Sequence, residues 1–238
     1  MNQSHVLSVQ LKRGERIAGW IYLPFYLLLL SIVITIVATV MGYDVFDTDV
    51  EVQINLVYGL INFIAIAIIF HSFLIRNLAN TGRRFGRFLL AIVLGFLIYF
   101  IGTIAVGYLI DWLDPSLSNL NDDAIDTMAG ANYQAIFLFT VALAPIVEET
   151  LFRGLIFSSI QKHHRILAYI VCMIAFASIH VVGYIGQQSV LSTLLSLIQY
   201  FPAGIALCWA YERADSIWAP IVIHCAINAI SMLVMQTL

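Results

Sequence analysis

Charge is what this sequence has least of. Only 11% of its 238 residues are Asp, Glu, Lys or Arg, against 61% that are apolar, whereas a water-soluble domain carries roughly 25% and 45–50% respectively. That balance excludes an ordinary soluble domain and places the chain in a bilayer. Cysteine is scarce too: Cys172, Cys208 and Cys225 are all there is, each inside an apolar run and none in a C-x-x-C pair. A disulfide scaffold is therefore not expected, and the three read as small core residues. There is no Gly-rich phosphate loop, no long basic tract and no internal repeat, so nucleotide hydrolysis and nucleic-acid binding lack support. The strict alternation of a membrane β-barrel is missing as well.

What is present is a succession of apolar runs long enough to span a membrane, a task that takes roughly 20 residues. They fall near 17–42, 54–75, 85–111, 133–160, 166–185, 190–211 and 217–237. The expected fold is all-α: a polytopic membrane bundle of about seven helices. The third and fourth runs are long enough for a tilt, a break or a re-entrant piece, which would raise the count to eight. The first run follows Lys12, Arg13 and Arg16 but exceeds a signal-peptide core of about 7–15 residues, so it reads as an uncleaved anchor. Residues 1–130 are expected to hold the N-terminal helices and an acidic, turn-rich external loop (111–130), and residues 131–238 a core within the same membrane domain.

The basic residues set an orientation. With seven helices, Lys12, Arg13, Arg16, Arg76, Arg83, Arg84, Arg87, Arg153, Lys162, Arg165 and Arg213 all fall on one side. The opposite connections carry Asp44, Asp47, Asp49, Glu51, Asp111, Asp114, Asp122, Asp123 and Asp126, with no Lys or Arg. The positive-inside rule then puts the N-terminus in the cytoplasm and the C-terminus outside, in the cell (plasma) membrane. An eighth full span would break this segregation. The arginines between 76 and 87 are expected to form a loop that meets anionic headgroups.

A few ionisable side chains interrupt the runs: His71, Glu148, Glu149, Arg153, His180 and His224, with the amide Asn228. A charge at a helix centre costs about 2.5–3.5 kcal/mol on insertion scales, so such residues face a bundle interior or a wet cavity and mark a functional site. At 1.5 Å per residue, Glu148 lies ~19 Å from the cytoplasmic end of its helix, His180 ~21 Å, and His224 and Asn228 ~10 and ~16 Å. Three helices thus bring four polar groups to one band of depth. Glu149 and Arg153 are spaced i, i+4 in the favourable order for an ion pair. Glu148, about 100° round the helix, is left for general acid or base work. His224 and Asn228 share a face, as do Phe176 and His180. Pro145 removes a helix hydrogen bond just before Glu148. Each residue also has a plainer reading: a structural pair for Glu149–Arg153, a protonated acid bonded to a carbonyl for Glu148, an interhelical hydrogen bond for His71.

The stretches E-E-T-L-F-R (148–153), F-A-S-I-H (176–180) and H-C-A-I-N (224–228) resemble the EExxxR, FxxxH and HxxxN motifs of the CAAX-protease and bacteriocin-processing (CPBP, or Abi) family of intramembrane endopeptidases. The resemblance covers about 130–238 and finds nothing distinctive before it. It implies that Glu148 and His180 activate a water, that His224 and Asn228 stabilise the oxyanion, and that Glu149 and Arg153 support them. No cofactor is favoured. A zinc version remains open, since Glu148, His180 and His224 would make a three-ligand set with one free position, although H-E-x-x-H is absent. The expected partners are membrane lipids and a peptide or protein substrate: a prenylated tail, a bacteriocin leader or a signalling pro-peptide. Two other classes stay open, a proton-coupled transporter and a non-catalytic bacteriocin-immunity or assembly factor on the same scaffold.

Overall fold

The computed structural model describes residues 7–237, and among them there is no strand. Seven helices are long and apolar enough to cross a membrane. We label them α1 (Arg13–Val40), α2 (Thr48–Arg83), α3 (Phe85–Leu113), α4 (Leu120–Gln161), α5 (Arg165–Tyr184), α6 (Val190–Ala214) and α7 (Trp218–Met235). The expected all-α bundle of seven is what forms, and the chain is an integral multi-pass membrane protein. Leu, Ile, Val and Phe side chains remain exposed along α1, α2 and α3, as a surface facing lipid requires.

Two connections are shorter than the sequence suggests. The acidic stretch 111–130 is mostly helical: α3 runs to Leu113 and α4 starts at Leu120, leaving only 114–119 as a turn. The Asn119 side chain caps α4 by accepting from the backbone N–H of Asn121 and Asp122, at 3.1 and 3.3 Å. Asp122 and Asp123 then fill the first turn, where carboxylates favour the positive end of the helix. The arginine-rich stretch is likewise no loop, because α2 and α3 are separated by Arg84 alone.

Three of its arginines, Arg76, Arg84 and Arg87, hold protein groups. Arg84 Nη1 meets Asp215 Oδ2 at 2.7 Å, and Arg76 grips Glu15 through Nη1 and Nη2 at 3.1 and 2.8 Å. Arg87 donates to the Arg213 carbonyl. Asp215, in the left-handed region at φ 56°, also accepts from Ser8 N–H at 2.7 Å, and its carbonyl accepts from Asn80 at 2.6 Å. The turn between α6 and α7 is thereby bolted to α2, α3 and the N-terminal segment.

Inside the bundle, small residues let helices approach closely. A Cβ on Gly95 of α3 would sit 2.7 Å from Ile223 Cδ1 and 3.3 Å from Ala210 Cβ. On Gly204 of α6 it would sit 3.1 Å from the Met173 Cα of α5. Helix α4 is irregular throughout. Asn132 leaves helical geometry, and two wide π-helical stretches, Leu138–Leu143 and Thr150–Phe157, flank Glu148 and Glu149. π-Helical turns gather at functional sites.

Candidate active site

Pro145 explains how the first wide stretch serves the site. Within it the Ala144 N–H bonds the Phe139 carbonyl, five residues back. Continued by one residue, that register would pair position 145 with the Thr140 carbonyl, but proline has no N–H to give. The Thr140 carbonyl is left for another donor, and Asn228 Nδ2 of α7 takes it at 2.8 Å. A proline on α4 thus fixes an amide on α7, with the second N–H of that amide still uncommitted.

One turn further on, Glu149 and Arg153 are wholly buried and paired, Nη1 to Oε1 at 2.9 Å. Arg153 Nη2 reaches the Gly204 carbonyl at 3.3 Å, a contact that the close approach at Gly204 permits. Its guanidinium lies 4.4 Å from the centre of the Phe176 ring, a cation–π arrangement. The same Glu149 Oε1 accepts from His224 Nδ1 at 2.8 Å. The chain Arg153–Glu149–His224 therefore fixes the imidazole from behind. Its other nitrogen, Nε2, points toward Glu148 Oε2, 3.9 Å away.

Glu148 is built differently from its neighbour. Its side chain is 12% exposed against 0% for Glu149, and its Oε2, like that of Glu149, is buried with no hydrogen-bond partner among the described residues. An acceptor left so is costly, and structure is rarely the reason for keeping one. His180 Nδ1 meets the Phe176 carbonyl at 2.9 Å. A carbonyl only accepts, so Nδ1 carries the proton, and Nε2 of the neutral ring is an acceptor. The ring stacks on Tyr200, with centroids 4.4 Å apart and planes 23° from parallel. Phe176 packs edge-on to His224, at 5.5 Å.

Glu148, His180, His224 and Asn228 all line one cavity of about 590 Å³. Glu149 and Arg153 do not line it and stand behind the wall. The six residues singled out in the sequence divide accordingly, four at the surface of the cavity and two supporting it. His71 plays no part: it is exposed, and its Nδ1 meets the Ile68 carbonyl of its own helix at 3.0 Å, not another helix. The three cysteines are free thiols. Among the described residues no group of three His, Cys, Asp or Glu side chains is arranged to hold a metal ion.

Several wall residues escaped the sequence reading. Tyr26 of α1 and Tyr58 of α2 line the cavity, joined by a bond from the Tyr58 hydroxyl to the Tyr26 carbonyl at 2.7 Å. The N-terminal helices, where no motif occurs, thus supply part of the site. Thr140 and Tyr200 are also on the wall. Phe176, which is not on the wall but packs against His180 and His224, had a visible signal as the first residue of F-A-S-I-H.

No curated protein and no solved structure gives a match to the chain. Residues 130–230 match the family model described as Type II CAAX prenyl endopeptidase Rce1-like. That span contains all three polar motifs and every one of the six residues they supply, so over residues 130–230 the chain is similar to the Type II CAAX prenyl endopeptidase Rce1-like family.

Proposed function

We propose that the protein is an intramembrane endopeptidase in which Glu148 and His180 activate a water and His224 and Asn228 receive the oxyanion. The observation that carries this reading is the division of labour around one cavity. Glu148 offers an uncommitted carboxylate oxygen, while His224 is held from behind by Glu149 and Arg153. Water bonded to His180 Nε2 and Glu148 Oε2 gives a proton to Glu148 as its oxygen attacks the scissile carbonyl carbon. The carbonyl electron pair moves to oxygen, which accepts from the free N–H of Asn228 and from His224. With Nδ1 already donating to Glu149, His224 meets the oxyanion through Nε2, a role that requires a proton on both ring nitrogens. Collapse breaks the C–N bond, and the proton on Glu148 passes to the leaving amine. A positioned base contributes typically 10²–10⁴-fold and each oxyanion donor about 10²–10³-fold. The reading needs no metal.

The test is cleavage of candidate peptides in proteoliposomes, with chelator present. Glu148→Gln keeps the size of the side chain and removes its ability to take a proton, so turnover should vanish while the melting curve stays in place. Cleavage by that variant at the wild-type rate would end the assignment, and loss of wild-type activity on chelation, restored by zinc, would bring the metal back. We also propose that the N-terminus is cytoplasmic and the C-terminus outside, in the plasma membrane, on the segregation of basic residues. Single cysteines placed near residues 80 and 163 in a cysteine-free background should resist an impermeant thiol reagent in intact cells, and those near 47 and 120 should react. The opposite pattern would invert the protein.

A further inference from the structure

The cavity extends well past the reacting groups toward the acidic end of the bundle. From Glu148, His180 and His224 its wall continues to Glu51 and Asn55 on α2, Asp122 on α4 and Met235 at the end of α7. All of these lie at the acidic end of the bundle. No Lys or Arg lines it anywhere, and the wall includes none of the residues that tie the basic end. Along α7, His224 and Met235 are separated by ~17 Å at 1.5 Å per residue. An extended peptide covers that distance in about five residues at roughly 3.3–3.6 Å each.

The walls of this passage are suited to a peptide. Thr140, 9% exposed, lines it with a hydroxyl that is buried and has no partner among the described residues. A hydroxyl both donates and accepts, so it can meet either group of a peptide backbone. Met128, Met232 and Met235 supply apolar wall, and methionine adapts to varied apolar shapes. At the mouth Glu51 and Asp122 stand on different helices. Asp122 Oδ1 is shared with the Tyr200 hydroxyl at 3.3 Å and Asn121 Nδ2 at 3.4 Å, both neutral donors. The acids around them, Asp44, Asp47, Asp49, Asp123 and Asp126, have no basic residue in the same connections.

Building on the endopeptidase reading, we infer that the substrate is a cationic peptide that enters from the acidic end. Its Lys or Arg side chains sit between Glu51 and Asp122, about five residues from the bond presented to Glu148. Such a mouth favours positive charge mainly through encounter and rejects an acidic flank by like-charge repulsion.

The experiment uses three synthetic peptides with one apolar core and a flank of three Lys, three Gln or three Glu. The protein is reconstituted in neutral phosphatidylcholine vesicles, so that lipid charge does not select the peptide. Binding is measured on Glu148→Gln, and cleavage on the wild type. At low salt the Lys-flanked peptide should bind about tenfold more tightly than the Glu-flanked one, and about 0.5 M salt should remove most of that preference. Glu51→Gln combined with Asp122→Asn, which keeps the acceptor for Tyr200, should bring the three peptides close to parity. Equal binding of all three, or a Lys preference that survives the double variant, overturns the inference. The two readings fail separately. Lys-selective binding without cleavage upholds the cationic entrance and sinks the protease. Cleavage of all three at equal rates does the reverse.

Discussion

At the basic end of the bundle, Glu15, Glu212 and Asp215 are each held by an arginine, with N–O distances of 2.8, 2.7 and 2.7 Å. At the acidic end, nine carboxylates share their connections with no Lys or Arg. The same chemical group therefore does two kinds of work in one molecule. Paired with arginine and buried, it fastens helices: Glu212 alone takes two bonds from Arg165 and one each from Tyr169 and Gln161. Unpaired and close to solvent, it leaves a field and an open passage. One end is closed because its charges are satisfied internally. The other is open because they are not.

The midpoint between the ends should be the most sensitive place to disturb. Arg153 lies inside α4, and it neutralises Glu149 where both are wholly buried. Arg153→Ala would leave that carboxylate facing only His224, and breaking a buried pair from one side costs about 3–5 kcal/mol. A melting curve in detergent should show a large loss, with low yield. Arg153→Lys should recover little, because a single ammonium cannot reach both Glu149 and the Gly204 carbonyl as the guanidinium fork does. A near-native melting temperature for Arg153→Ala would mean that the pair contributes little to the fold.

The next effect separates the two ends directly. Arg165→Ala removes the bidentate partner of Glu212 and leaves a carboxylate that is 4% exposed with neutral donors only. Because Arg165 itself is 47% exposed, the pair is partly screened, and we expect a loss of about 1–2 kcal/mol. Adding Glu212→Gln should restore part of it. Asp123→Asn at the acidic end should leave the melting curve where it was. Equal losses at the two ends would erase the distinction between bolted and free carboxylates.

The seven spans and the four polar groups on the cavity wall were legible in the sequence because both follow from local cost. A long apolar run has few alternatives to a membrane helix, and a Glu or His inside one is too expensive to be incidental. The acidic stretch 111–130 misled for a related reason: Asn and Asp are turn formers and also helix N-caps and first-turn residues. Asn119, Asp122 and Asp123 turned out to be the latter. The ion pairs of Arg76 and Arg84 gave no sign in the sequence, because their partners Glu15 and Asp215 are distant along the chain. Tyr26, Tyr58, Thr140 and Tyr200 had no signal, since each matters only through what tertiary packing brings beside it.

Tyr200 provides the smallest effect and the finest test, because it joins the acidic end to the chemistry. Its ring stacks on His180, while its hydroxyl bonds the Asn119 side chain, at 3.0 Å to Nδ2, and Asp122. Tyr200→Phe keeps the stacked face and cuts the link to the acidic end. Hydrogen bonds contribute about 0.5–1.5 kcal/mol net, and the one to Asp122 is long, at 3.3 Å, so turnover should fall only about two- to tenfold. Tyr200→Leu also takes away the flat surface that sets the His180 ring, and should lower kcat further with little change in the melting curve. The pH profile distinguishes positioning from bulk packing. If Tyr200 acts by orienting His180, Tyr200→Leu should alter the profile of kcat while Tyr200→Phe leaves its shape intact. Identical profiles in all three proteins, with activity falling only in step with stability, would make Tyr200 a packing residue and disconnect the acidic end from the reaction.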